Sequence, residues 1–287
     1  MCFIKDDLCL YERAIMKRAF VGFLVVGAIL ALTGCAENLK TRKTITPAKA
    51  GYVLTFADEF DGDKLDKTKW AMGYPGWTEP ESAPMAYVSD ANQCEIKDGI
   101  NYMKEEKRKC KNLAGVEKEY ASALIQTADS FMQCFGWFEM RCKMPKFLGA
   151  FPAFWLFPKG NIEPPSGEID IFEHLSRWGE YTSWNMHWGD YAEKHREVLA
   201  QKYLVPGINE EYHTYALNWE PGKVSFYIDG AVYYVFEGKE VPSVKMYMII
   251  NGGIEGWGWK VDEDSAFPDA LCVDYVRVYQ RKDLLEK

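Results

Sequence analysis

Glu168, Asp170 and Glu173 crowd into the run Gly167-Glu168-Ile169-Asp170-Ile171-Phe172-Glu173, where acids alternate with Ile and Phe. In a β-strand successive side chains point to opposite faces, so Glu168 and Asp170 share one face and Ile169 and Ile171 the other. Strict alternation would then send Glu173 into the core, where an unpaired carboxylate is costly. One extra residue at Ile171-Phe172, a β-bulge, returns Glu173 to the side of the other two. Three acids on one face could hydrolyse a glycoside, which needs at minimum two carboxyl groups flanking the scissile bond. Strand rise is ~3.3 Å per residue, so the α-carbons of Glu168 and Glu173 would lie about 13 Å apart. Side chains leaning inward on a concave sheet can bring the carboxyls to the roughly 5–5.5 Å of a retaining glycosidase. Taken alone, the segment also fits a plain acidic strand face, since clustered acids are not always catalytic.

These acids need a sheet to present them. Short β-rich runs recur along the chain, at residues 123–126, 136–144, 151–157, 168–172, 183–188, 213–219, 224–228, 231–236, 245–251 and 272–279. Gly, Pro, Asn and Asp separate them, and long amphipathic helical periodicity is absent. This pattern predicts an all-β fold, a two-sheet antiparallel β-sandwich with a concave cleft. Asp229-Gly230, between two alternating runs, predicts a tight hairpin. Residues 73–120, rich in Pro, Lys and Glu, read as long loops over one end.

Parity also gives candidate binding residues. In the run 135–145, Phe138, Met140, Cys142 and Met144 would face the core, leaving Trp137, Glu139, Arg141 and Lys143 on the other face. By the same rule Trp155 faces away from Phe154 and Leu156, and Asn185 and His187 away from Trp184 and Met186. If these faces coincide with that of Glu168, the cleft carries Trp137, Trp155, Asn185 and His187 beside the acids, with Arg141 either a further sugar-hydroxyl ligand or an ion-pair partner of Glu139. Indole rings stacking on pyranose faces would make this a sugar trough.

The chain has 287 residues, enough for one large β domain, and is 15% aromatic with 10 Trp and 17 Tyr, which suits such a trough. Its net charge of −8 argues against nucleic acid, whose phosphates need a basic surface. A neutral polysaccharide or glycan fits the charge better than a sulfated one. Four His and no ligand-like Cys spacing predict no catalytic metal.

The N-terminal part reads as an address. Residues 1–15, with Asp6, Asp7 and Glu12, look like an upstream start extension before Met16. Lys17-Arg18 and the apolar run 19–32 form a signal peptide over 16–34, too short to span a membrane comfortably. Leu32-Thr33-Gly34-Cys35 resembles a bacterial lipoprotein cleavage box, with Cys35 as the lipidated residue and 35–50 as its tether. The expectation is an exported monomeric lipoprotein, anchored to a membrane and placed at the outer membrane, the cell surface or the periplasm. The folded domain would occupy 51–281. In that oxidising setting one or two disulfides among Cys94, Cys110, Cys134, Cys142 and Cys272 are plausible.

Together these segments resemble glycoside hydrolase family 16, the laminarinase-like endo-β-glycanases on a concanavalin-like jelly roll. The opening Phe56-Ala57-Asp58-Glu59-Phe60-Asp61-Gly62, then Phe151-Pro152-Ala153-Phe154-Trp155-Leu156, Gly167–Glu173, His213-Thr214-Tyr215, Tyr227-Ile228-Asp229-Gly230 and the closing run 273–279 follow in the family's order. The resemblance implies Glu168 as nucleophile, Asp170 as assisting acid and Glu173 as acid/base. Glu168 would be ionised to attack the anomeric carbon and Glu173 protonated to help the leaving sugar depart. Asp170 would share a proton with Glu168, so that the three do not ionise together. Trp155 matches an aromatic floor beside the cut, and His187 a cleft histidine. No cofactor is implied for the reaction; a structural calcium is, with Asp274 and Glu59 as oxygen donors. His213 reads as a hydrogen-bonded core residue, and His174 as either a modulator of Glu173 or a structural group. The implied substrate is a β-1,3- or mixed-linkage glucan, with an agar-like galactan or a host poly-lactosamine or mucin O-glycan as the alternative. A non-catalytic glycan-binding protein on the same sandwich is disfavoured, because a pure binder has no need of three mutually repelling acids.

Overall fold

Alternating side chains build two large sheets that close over the main apolar core, with a small separate pair of strands, Cys110–Lys111 and Glu117–Lys118. The computed structural model describes residues 51–160, 167–190, 194–199, 202–254 and 261–285. The start extension, signal peptide, Cys35 and tether assigned to residues 1–50 lie outside the described residues.

One sheet has ten strands. Its path runs Ala231–Glu237, Lys223–Ile228, His213–Glu220, Gly136–Lys143, Asp269–Arg281, Ile100–Glu106, Tyr120–Ser122 and Met85–Tyr87. Asp269–Arg281 is long enough to pair with Ile100–Glu106 through its first residues and with Tyr52–Asp58 through its last. The other sheet has eight strands, along Lys194–Leu199, Tyr181–Asp190, Glu168–Glu173, Ala153–Pro158, Met246–Asn251, Leu124–Gln126 and Ala71–Met72, with Tyr203–Leu204 joined to the first residues of Tyr181–Asp190. Pairing is antiparallel except between Met85–Tyr87 and Tyr120–Ser122.

The core lies between the inner faces. Phe138, Met140 and Cys142 meet Phe154, Leu156, Ile169, Trp184 and Met186 from the facing sheet. Phe172 tilts against Tyr215 with ring centroids 4.6 Å apart, and Trp184 stacks on Phe226 at 4.3 Å. Burying a side chain of this size stabilises the fold by roughly 1.5–3 kcal/mol, so the apolar period of two is what fixes each strand's register. The Asp229-Gly230 hairpin forms as expected, with both residues at positive φ (50° and 72°).

Residues 73–120 depart from the expected loops. They supply Met85–Tyr87, Cys94–Lys97 and Ile100–Glu106, all within the ten-stranded sheet. Polar residues at inward positions hid the last of these: Asn101 and Glu105 are fully buried on either side of Met103. Asp98-Gly99, at φ 54° and 75°, joins the two adjacent strands in a second tight hairpin that the sequence reading passed over. All five cysteines of the domain are free thiols. Cys94 and Cys142 point into the core, so the plausible disulfides are not formed.

Candidate active site

The bulge lies where the alternation of the acid run demands it. On one side Phe154 pairs with Phe172 and Trp155 with Asp170, which leaves Ile171 as the extra residue. On the other, Asp170 pairs with Asn185 and Glu173 with Ser183, so Trp184 alone opposes Ile171 and Phe172. Both of these apolar residues turn into the core. Glu173 therefore emerges on the outer face of the eight-stranded sheet with Glu168 and Asp170.

The neighbouring strand Tyr181–Asp190 holds the acids in place. His187 sits opposite Glu168 in register, and its Nε2 is 3.1 Å from Asp170 Oδ2. Glu168, Asp170 and His187 each bring one polar atom within 4.8 Å of the others. Two carboxylates that close repel, and the His187 hydrogen bond to Asp170 holds one of them in place. The same three donors could in principle hold a cation. Asn185, next along that face, donates its Nδ2 to Glu173 Oε2. Thr182 Oγ1 donates to the Glu173 carbonyl at 2.9 Å, pinning the backbone just past the bulge.

An aromatic wall flanks the acids. Trp155 is on the acid face as predicted, and its Nε1 donates to Asn251 Oδ1 at 2.9 Å. Its indole is 8% exposed, covered edge-on by Trp77 at 6.3 Å and Phe157 at 5.7 Å. Trp77 is the open ring, 38% exposed and stacked on Tyr74 at 3.6 Å with 19° between planes. Burial raises the pKa of the Tyr74 and Tyr247 hydroxyls, Tyr247 to about 12, and the nearby Glu168 charge adds to both. Sequence reasoning missed Trp77, Tyr74, Tyr247 and Asn251. An exposed Trp in a Pro-rich, non-repeating segment carries no periodic signal.

Beneath the wall lies a buried acid. Glu105 reaches from the ten-stranded sheet to the turn after Met246–Asn251, where its Oε1 accepts from Ser122 Oγ at 3.0 Å and Gly253 N at 2.9 Å. Its Oε2 has no hydrogen-bond partner among the described residues. Burial holds the carboxyl well above the usual range, so it is a neutral acid. Gly252 admits it: a Cβ there would lie 1.5 Å from Glu105 Oε1.

Two predicted ligands lie elsewhere. Trp137 and Arg141 share a face, as parity required, but it is the outer face of the ten-stranded sheet. Trp137 is packed among Ala216 and Tyr227, with Tyr52, Val232 and Tyr279 beside them. Arg141 pairs with Asp274 and lies over Tyr212 at 4.9 Å. Period-two alternation distinguishes inside from outside but not one sheet from the other, which explains both errors. The acids named for calcium are ion-paired there too: Asp274 with Arg141, and Glu59 with Arg277 at 2.7 Å.

His213 and His174 are structural. His213 Nδ1 lies 2.8 Å from Asp229 Oδ2; burial works against its protonation, but that carboxylate leaves the pKa raised. His174 is fully buried, with Nδ1 2.9 Å from the Tyr181 carbonyl, and burial pushes its pKa down to about 4. It is a neutral tie between strands.

Comparison with known proteins agrees with this geometry. Residues 89–277, more than half of the chain, match the family described as glycosyl hydrolases family 16. A β-glucanase of Rhodothermus marinus is 28% identical over 270 residues, covering 87% of this chain and 91% of its own length. The laminarinase catalytic domain from Thermotoga maritima MSB8 superposes with a TM-score of 0.69 at 26% identity, over 80% of this chain and 98% of that one. The fold is also shared, at TM-score 0.75 and 23% identity over 82% of this chain and 93% of the other, with a protein from work on endo-acting O-glycanases that prominent human gut bacteria use to initiate mucin breakdown. With the acid strand, its bulge and the jelly-roll sandwich in place, the chain belongs to glycosyl hydrolases family 16.

Proposed function

We propose that this glycoside hydrolase cuts internal bonds of a β-1,3- or mixed-linkage glucan by double displacement, with Glu168 as nucleophile and Glu173 as acid/base. The observation that carries the reading is the bulge at Ile171, which puts both glutamates on one face. Glu168 attacks the anomeric carbon while Glu173 protonates the departing oxygen; water, deprotonated by Glu173, then breaks the glycosyl–Glu168 bond, releasing the sugar and freeing the Glu168 carboxylate. Asn185 orients the Glu173 carboxyl, and His187 with Asp170 positions charge beside Glu168. The glucan assignment is supported by the likeness to the Rhodothermus β-glucanase and the Thermotoga laminarinase.

Incubating the protein with laminarin, lichenan, agarose, porphyran, keratan and mucin glycans tests this directly. An oligosaccharide ladder from laminarin or lichenan, lost in both Glu168→Gln and Glu173→Gln, is the expected result. Turnover retained in both variants would refute the roles. Cleavage confined to agarose, keratan or mucin glycans would replace the glucan with a galactan or host glycan.

We further infer a monomeric, membrane-anchored lipoprotein, on the strength of the Leu32-Thr33-Gly34-Cys35 box. Labelled fatty acid should enter the full chain and fail to enter Cys35→Ser, which should fractionate as soluble protein.

A further inference from the structure

The outer face of the ten-stranded sheet, on the far side of the core from the acids, carries a row of residues in register across four strands. Glu95 is opposite Tyr102, Tyr102 opposite Cys272, and Cys272 opposite Lys143. One step along, Lys104 is opposite Ala270. Short side chains at Cys272 and Ala270 thus form a floor between taller walls, Tyr102 and Lys104 on one side and Lys143 on the other. The result is a hollow of about 460 Å³, completed by Lys97 and Lys146.

Its charge runs against that of the chain. Lys97, Lys104, Lys143 and Lys146 line it against Glu95 and Asp269, a local excess of two positive charges on a protein of net charge −8. Glu95 engages Lys104 at 2.6 Å, and Glu210 approaches Lys146 at 3.6 Å. Asp269 Oδ2 accepts from the backbone N–H groups of Lys146 and Phe147, at 2.6 and 3.2 Å. Lys143 has no such acid partner among the described residues. It lies instead 5.5 Å from the Tyr212 ring, which Arg141 also covers.

We propose that this hollow is a second glycan-binding site, taking a saccharide that carries sulfate or carboxylate groups. Its volume is in the range of small-ligand sites, and Tyr102 offers an apolar wall to a pyranose ring. Lys143, which makes no ion pair among the described residues, and Lys97, which shares Glu95 with Lys104, supply charge for the anionic groups. Because the core separates the hollow from the acids, a chain held here leaves the catalytic face open. The anionic saccharide held here is distinct from the neutral glucan cut on the opposite face, so the site docks the protein on a charged matrix around that substrate.

The test measures binding, independently of the proposed hydrolysis. Dextran sulfate and unmodified dextran are titrated against the wild type, a Lys97→Ala/Lys143→Ala double variant, and Ala270→Leu, which fills the floor while keeping every charge. We expect dextran sulfate alone to bind the wild type, with affinity falling as salt rises. Each variant should weaken it on the order of 10-fold, with cleavage of a short neutral oligosaccharide and Tm unchanged. Unaltered binding in the double variant would overturn the proposal. So would unaltered binding in Ala270→Leu, which would reduce the effect to diffuse surface charge. Displacement by inorganic sulfate or phosphate as effective, charge for charge, as the polymer would also overturn it, by showing a simple anion site.

Discussion

Asn185 and Glu173 face each other across adjacent strands, the amide Nδ2 donating to the carboxyl Oε2 just beyond the point where the acid strand gains its extra residue. The contact fixes the carboxyl rotamer while adding no charge beside it. Asn185→Asp keeps the shape and introduces a second carboxylate. A like charge disfavours loss of the Glu173 proton, so the alkaline limb of kcat/KM should move to higher pH as the maximal rate falls. A pH–rate profile of both proteins reads this; an unmoved limb would separate Asn185 from the acid/base.

The imidazole of His187 bonds the Asp170 carboxylate, whose side chain is almost wholly buried. Asp170→Asn removes the charge and leaves the volume. Loss of one preorganised electrostatic group from a site of this kind costs on the order of 10²-fold in kcat. Because the Asp170 side chain is almost wholly buried and offers a sugar little contact, KM should change little. A drop confined to KM would assign it to binding.

Trp77 is the exposed ring of the aromatic wall, held by its stack on Tyr74. Trp77→Ala should raise KM for long oligosaccharides roughly 2- to 10-fold, from the loss of one stacking contact of about 0.5–1.5 kcal/mol. Short substrates that do not reach the ring should be cleaved as before. Equal losses at every length would place Trp77 in the support of Trp155 instead.

Glu105 is neutral in the fold and ionised in the unfolded chain above its ordinary pKa of about 4.3. The native state then binds one more proton than the unfolded state. Stability from this group is complete below that value and is lost as pH climbs toward the raised folded pKa, at about 1.4 kcal/mol per pH unit. Glu105→Gln preserves the acceptor for Ser122 and Gly253 and removes the ionisation. Denaturant unfolding from pH 5 to 8 should show the variant gaining on the wild type as pH rises. Parallel pH curves would count against a neutral buried acid.

The five thiols of the domain are free, and two of them belong to the core. Reducing agent should therefore leave Tm unaltered. A thiol reagent should label the native protein at the half-buried Cys110 and Cys134 well before Cys94 and Cys142, which react on unfolding. A Tm that falls on reduction would contradict this.

The acid face was legible because a carboxylate is intolerable in an apolar core: the misfit of Glu173 with strict alternation demands the bulge at Ile171. The ten predicted strand runs were legible for the related reason that apolar residues concentrate there, between breaks of Gly, Pro, Asn and Asp. Ile100–Glu106 was not, because Asn101 and Glu105 occupy inward positions and erase the period. Trp137 and Arg141 were placed on a correct face of the wrong sheet, since alternation along one strand says nothing about which layer that strand joins. Trp77 was invisible because its position depends on the path of a loop around Tyr74 and Trp155.

Asp269–Arg281 has a further consequence for how the molecule is assembled. It is the hub of the larger sheet, yet it leaves the ribosome after every strand it touches, including Tyr52–Asp58 more than two hundred residues upstream. The sheet cannot close before this strand emerges, and such distant pairings are slow to form.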